Sequence, residues 1–129
     1  MKKNIVVLTD VSLITCVVQR GAADDIIKAA REAGAQGATV SFARGTGVRE
    51  RLGILGVAVE VEKEIIQVVV STEQQDRVFE AMYLAGKLNT PGMGIMYVTH
   101  LEKAATHIPM EVLEKLRATG RSRHASAKA

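Results

Sequence analysis

Apolar and polar positions along the chain change period several times, and each change marks an element. Residues 11–18 (Val-Ser-Leu-Ile-Thr-Cys-Val-Val) form a nearly unbroken β-branched apolar run closed by Gln19-Arg20-Gly21, as in a buried central strand. Over 22–33 the period becomes helical. Ala23, Ile26, Ile27, Ala30 and Ala33 share one face, Asp24 and Asp25 occupy the first turn, and Gly34 stands where a C-terminal cap is wanted. Residues 37–43 alternate, Val40 and Phe42 against Thr39, Ser41 and Ala43, and predict a second strand. A third spans 65–71. Ser71 or Thr72 then caps a helix over 73–85 that carries Val78, Phe79, Met82 and Leu84 and ends at Gly86. Residues 94–100 predict a fourth strand, and Pro109 opens a last helix with Val112, Leu113 and Leu116, stopped by Gly120. Residues 4–9 predict a short strand or an ordered arm. Residues 54–61 are apolar for a connection and predict a ribbon with 40–48 or a contact with another subunit.

The order is β-α-β-β-α-β, an α+β, ferredoxin-like sandwich with an antiparallel sheet of order 4-1-3-2 and an extra C-terminal helix. Residues 1–108 make the domain, 109–119 the helix, and 120–129 a basic tail without an apolar anchor, predicted to be disordered. In this plan the second strand ends and the fourth begins at one end of the sheet but on opposite edges. The loops at 45–53 and 86–94 therefore meet only if subunits close into a ring that sets one edge beside the next, which would also cover the strand edges.

Size and composition fit one domain: 129 residues, 47% hydrophobic, formal net charge +3. Much of the positive excess lies in Arg117, Arg121, Arg123 and Lys128, a basic tail rather than a basic domain. With no Trp, two Phe and two Tyr, stacking platforms for nucleic acid are scarce, and no nucleic-acid partner is expected. One cysteine, Cys16, excludes an intrachain disulfide and reads as a core thiol. No apolar run approaches the ~20 residues that span a bilayer. The apolar run after Lys2-Lys3 is too short for a signal peptide and is broken by Asp10, so a cytoplasmic protein is expected.

The chemistry concentrates in two loops. Residues 44–53 hold three glycines and three arginines directly after a strand. Glycine lets a backbone approach a ligand, and arginine offers a planar cationic fork for phosphate or carboxylate. The second loop, 86–94, holds Gly86, Lys87, Gly92 and Gly94. Elsewhere the signals are weak. His100 and His107 lack a third ligand at useful spacing, so no metal site is expected. Glu60, Glu62 and Glu64 alternate as on a solvated strand edge, and Met82, Met93 and Met96 suit packing. There is no nucleophile elbow, phosphate-binding Walker loop, HExxH or Cys–His cluster, so no enzyme is expected.

Four short motifs in this order resemble the PII-type nitrogen regulatory signalling proteins, from about Leu13 to Ile108: Ala23-Asp24-Asp25-Ile26, Gly37-Ala38-Thr39-Val40, Gly45-Thr46-Gly47 and Ala85-Gly86-Lys87-Leu88. The resemblance implies a homotrimer, adenine nucleotides (AMP, ADP or ATP) in the clefts between subunits, and regulation of a membrane transporter or enzyme, within the control of nitrogen utilization. The partner would be read through the loop at 44–63. By position, Thr39 would lie near the adenine, and Gly45, Thr46 and Gly47 would admit the nucleotide to the backbone. Arg49 would contact phosphate or effector. Gly86, Lys87, Gly92, Met93 and Gly94 would wrap the phosphates from the neighbouring subunit.

The chain departs from that family at several places. Its second loop lacks the family's second lysine, which favours AMP or ADP over ATP by a charge-assisted bond of roughly 1.5–3 kcal/mol. The family's loop glutamine, used for magnesium and 2-oxoglutarate, has no clear match in Val48-Arg49-Glu50-Arg51, and the modified loop tyrosine is absent. A CutA-like trimeric structural or metal-tolerance module, indifferent to nucleotides, has the same architecture and is the alternative. An RNA-binding domain of this topology would need aromatics on the central strands, and 13–18 and 65–70 have none.

Overall fold

A computed structural model describes residues 2–46, 61–119 and 122–128. The elements are β1 (Lys2–Leu8), β2 (Val11–Gln19), α1 (Ala23–Glu32), β3 (Thr39–Gly45), β4 (Val61–Ser71), α2 (Thr72–Ala85), β5 (Gly94–Leu101), β6 (Ala104–Ala105), α3 (Met110–Thr119) and β7 (Ser122–Lys128). Four strands form an antiparallel sheet of order β3-β4-β2-β5. Counted as the four strands of the sequence reading, this is the order 4-1-3-2, in an α+β, ferredoxin-like arrangement.

Strand β2 is central because both of its edges find partners, β4 on one side and β5 on the other. Ile14, Cys16 and Val18 are fully buried beneath the helices beside Ile66, Val68 and Val70 of β4. Helix α1 contributes Ala23, Ile26 and Ala30, and α2 contributes Val78 and Met82, to the same core. Ile27, Ala33, Val40, Phe79 and Met96 pack against it from its margins. Leu84, which the helical pattern groups with these residues, is instead 60% exposed. Helix α1 ends at Ala33, and Gly34 follows with φ +119°, a conformation that suits glycine.

The start of α2 is secured differently from the sequence expectation. Ser71 stands at the cap position without a side-chain cap bond. The Thr72 amide donates to the Asp10 carbonyl (3.0 Å), and the Thr72 hydroxyl donates to the Asp10 carboxylate (3.1 Å). One turn on, Ser12 Oγ donates to Gln75 Oε1 at 2.7 Å, which ties α2 to the central strand.

The termini build a second sheet, of order β6-β1-β7. Residues 122–128, expected to be disordered, form β7 and pair antiparallel with β1 from Lys2↔Lys128 to Leu8↔Ser122. The physical reason is the edge of β1, whose unpaired backbone groups accept a neighbouring strand whatever its side chains. In α3, Met110 and Val112 are exposed.

Candidate functional site

Strand register fixes what gathers at one end of the main sheet. Gly45 pairs with Val61, Gln19 with Lys63 and Val18 with Gly94. The ends of β2 and β3 and the starts of β4 and β5 therefore lie together at that end. Strands β3 and β5 are nonetheless the two edges. Three inter-strand spacings separate them, roughly 14 Å.

On the β3 edge, Thr39 is exposed and opposes Gln67 on the face turned away from the helices. Gly45 is half-buried and Thr46 exposed. Gly47, Arg49 and nearly all of the apolar segment 54–61 lie outside the described residues. At the other edge, the loop after α2 is a chain of tight turns: Leu88 N donates to Tyr83 O, Thr90 N to Lys87 O and Met93 N to Thr90 O. Gln19 Nε2 donates to the Gly92 carbonyl at 2.8 Å and moors this loop to the end of β2.

The loop's five site residues play distinct structural parts. Gly94 has φ +152°, and a Cβ there would stand 2.2 Å from the Val17 carbonyl oxygen, so only glycine lets β5 pair from its first residue. Gly86 is buried, and a Cβ would meet Ile26 Cδ1 at 3.0 Å, so this glycine lets α1 and α2 approach each other. Met93 and Gly92 are half-buried. Lys87 is exposed and, among the described residues, is the one non-glycine with positive φ (54°). Non-glycine residues in this region are uncommon and gather at functional sites.

A further cluster was not singled out from the sequence. Arg20, Phe42, Ala43, Arg44, Glu62 and Lys63 line a cavity of about 370 Å³ at the root of β3 and β4. Arg20 Nη1 donates to Glu62 Oε2 at 2.5 Å, and the Arg20 amide donates to the Glu62 carbonyl at 3.3 Å. The hydrogen bond that Arg20 donates to Glu62, then the charge of that carboxylate, raises the Arg20 guanidinium above its ordinary value. Glu64, expected on a solvated edge, is instead buried and accepts a hydrogen bond from the Gly21 amide. The readable signal was the alternation at Glu62 and Glu64, but their partners lie some forty residues earlier in the chain.

Cys16 is fully buried, and desolvation pushes its thiol up to about 11. Among the described residues, no group of three or more His, Cys, Asp or Glu could hold a metal ion, and no helix is long and apolar enough to cross a membrane.

The family model for nitrogen regulatory protein P-II matches residues 11–109. The chain belongs to the P-II family. That match covers the whole main sheet with α1 and α2 and leaves β1, α3 and β7 outside it. Among solved structures, the P-II protein of Arabidopsis thaliana, described as bound to citrate, is similar with a TM-score of 0.59 and 20% identity. The similarity covers 73% of this chain and 79% of that one. At this identity it speaks for the shared fold. A comparison with curated proteins finds no match. The P-II chain described here is thus a P-II-like signalling protein by family and fold.

Proposed function

We propose that this P-II protein is a homotrimeric regulator that holds an adenine nucleotide (AMP, ADP or ATP) in clefts between subunits. Through residues 44–63 it acts on a transporter or enzyme. Thr39, Gly45, Thr46, Gly47 and Arg49 of one subunit face Gly86, Lys87, Gly92, Met93 and Gly94 of the next. The proteins of this family are regulators rather than catalysts, generally trimeric, and bind adenine nucleotides.

One observation carries the reading: the end of β3, where the first glycine-rich stretch begins, and the start of β5, where the second one finishes, lie at the same end of the sheet but on its opposite edges. A single copy keeps them apart, and a neighbouring copy brings them together. The open face of the sheet supplies a surface for that neighbour. Its rows run Ile95–Val17–Ile65 and Leu13–Val69, with Tyr97 beside Thr15. Ile95 is 60% exposed, and Val69 and Tyr97 are each 49% exposed. An apolar face of this kind is what an obligate assembly buries.

The cytoplasm suits this role. The domain proper is 1–108, followed by the helix at 109–119 and the tail at 120–129.

Sedimentation velocity and isothermal titration with AMP, ADP, ATP and cyclic nucleotides test the reading. A trimer that binds one nucleotide per cleft is expected. A monomer, or a trimer that binds none at millimolar concentration, overturns it, and the latter result leaves the CutA-like structural module.

A further inference from the structure

We propose that the outer edge of β7 is a docking site for an extended, acidic segment of a partner protein, which adds to the second sheet as a further strand. The proposal does not rest on the nucleotide reading, which concerns the main sheet.

The backbone supplies the first observation. The second sheet has the order β6-β1-β7, so β7 is its outer strand. Every residue of β7 pairs with β1, from Lys2↔Lys128 to Leu8↔Ser122. On its other side β1 meets β6 at Val7 and Leu8, and residues 106–108 border one cavity with Ile5 and Val6. Among the described residues, no strand pairs with the far edge of β7. An antiparallel strand directs half of its N–H and C=O groups to each neighbour. The half that β1 does not take forms a row roughly 23 Å long, which a partner strand can extend.

Charge supplies the second observation. The P-II match spans 11–109, which holds ten Lys or Arg and eleven Asp or Glu. The flanking residues, 1–10 and 110–129, hold seven and three. Of those three carboxylates, Asp10 is engaged by Thr72. Glu111 and Glu114 of α3 are offset by Lys115 and Arg117 in the same helix, and Glu102 and Lys103, before β6, cancel each other. What remains is Lys2, Lys3, Arg121, Arg123 and Lys128, all in β1 and β7 or next to them in the chain. Neither strand contains a carboxylate.

The register turns this excess into a preference. Lys2 and Lys128 are direct cross-strand partners, and like charges at such positions weaken a ladder. Positive charge along an open edge also turns away a second copy of β7, which carries the same charge. An acidic strand meets neither obstacle. Its carboxylates relieve the repulsion between the lysines, and its backbone completes the open row. A nucleic acid or an anionic membrane would answer the charge and leave the row unpaired, so a strand fits both observations.

The test uses the full-length protein and a fluorescently labelled peptide of alternating glutamate and valine. Affinity is read by anisotropy at low and high salt, and position by backbone amide NMR. A second peptide carries the same side chains with N-methyl groups on alternate residues, so it keeps the charge and cannot form the ladder. The unmodified peptide is expected to bind about ten-fold more tightly or better, because one or two lost hydrogen bonds suffice for that factor. It should weaken as salt rises and shift the amides of Ser122–Lys128 while leaving those of β3 and β5 in place. Arg123→Glu combined with Lys128→Glu should weaken the acidic peptide by about ten-fold or more and admit a peptide of alternating lysine and valine. Should that variant lose β7, the comparison of the two acidic peptides on the unaltered protein still decides. Equal affinity for those two peptides, or amide shifts centred on residues 86–94, overturns the proposal. So does tighter binding of oligouridylate or of phosphatidylserine vesicles than of the acidic peptide, which would assign the surface to a nucleic acid or a membrane.

Discussion

At the scale of single residues, two glycines and one lysine separate structural need from ligand need. Gly94→Ala forces a Cβ to within 2.2 Å of the Val17 carbonyl, and it should cost more than ~2 kcal/mol by urea unfolding. Gly37→Ala meets nothing within 4 Å and should be neutral or stabilising by up to ~1 kcal/mol. Lys87 is the sharper case. A lysine at φ 54° is disfavoured locally, so Lys87→Gly should leave stability unchanged or raise it by up to ~1 kcal/mol. If Lys87 grips phosphate, the same change should weaken ADP binding by about ten-fold or more. Unchanged ADP affinity by calorimetry would remove Lys87 from the nucleotide site. Cys16 gives a pH prediction. Its folded thiol holds its proton up to about 11, whereas an unfolded thiol releases it near 8.5. The native state binds the proton more tightly in between. This contribution to stability is thus fully present below about 8.5 and is lost as pH rises toward 11. At pH 8 the thiol should react with a disulfide reagent only on unfolding. The burial of Cys16 was readable from its apolar neighbours. The pairing of Arg20 with Glu62 was not, because charge and spacing along a strand do not say which turn, forty residues away, will face it.

At the scale of elements, helices α1 and α2 depend on each other through Ile26 and the space that Gly86 leaves beside it. Ile26→Ala should cost roughly 2–5 kcal/mol, since a fully buried side chain is replaced by a void that both helices border. Gly86→Val should also destabilise, because its Cβ would press on Ile26 at 3.0 Å and a branched side chain presses further. Loss of nucleotide binding in that variant would then reflect packing, which thermal unfolding detects. The helical stripe of α1 and the strand patterns of β2 and β4 were legible because burial imposes a strict period on one chain segment. Strand β7 was not. Its residues, Ser122–Lys128, carry no apolar period, and their extended form comes from the free edge of β1.

At the scale of the whole molecule, the proposed trimer would bury the open sheet face. Val69→Glu or Ile95→Glu places a charge in the apolar rows without touching the helix-side core. If the proposed trimer forms through this face, either change should shift it toward monomer in sedimentation velocity and weaken the proposed nucleotide binding in parallel, while far-ultraviolet circular dichroism stays the same. An intact trimer in both variants would locate the subunit contact elsewhere. The order of the four main strands and the two core helices, the buried face of α1 and the buried strands were determined by the sequence alone, because short-range periodicity records which side of each element meets apolar surroundings. Only the tertiary structure decided the strand register that sets Gly45 against Val61 and Gly94 against Val18. It alone decided that Glu64 is buried, that Phe42 stands open beside Arg20 and Arg44, and that the last residues join β1. These are pairings between distant segments, and their free energy belongs to neither segment until the chain has closed around both.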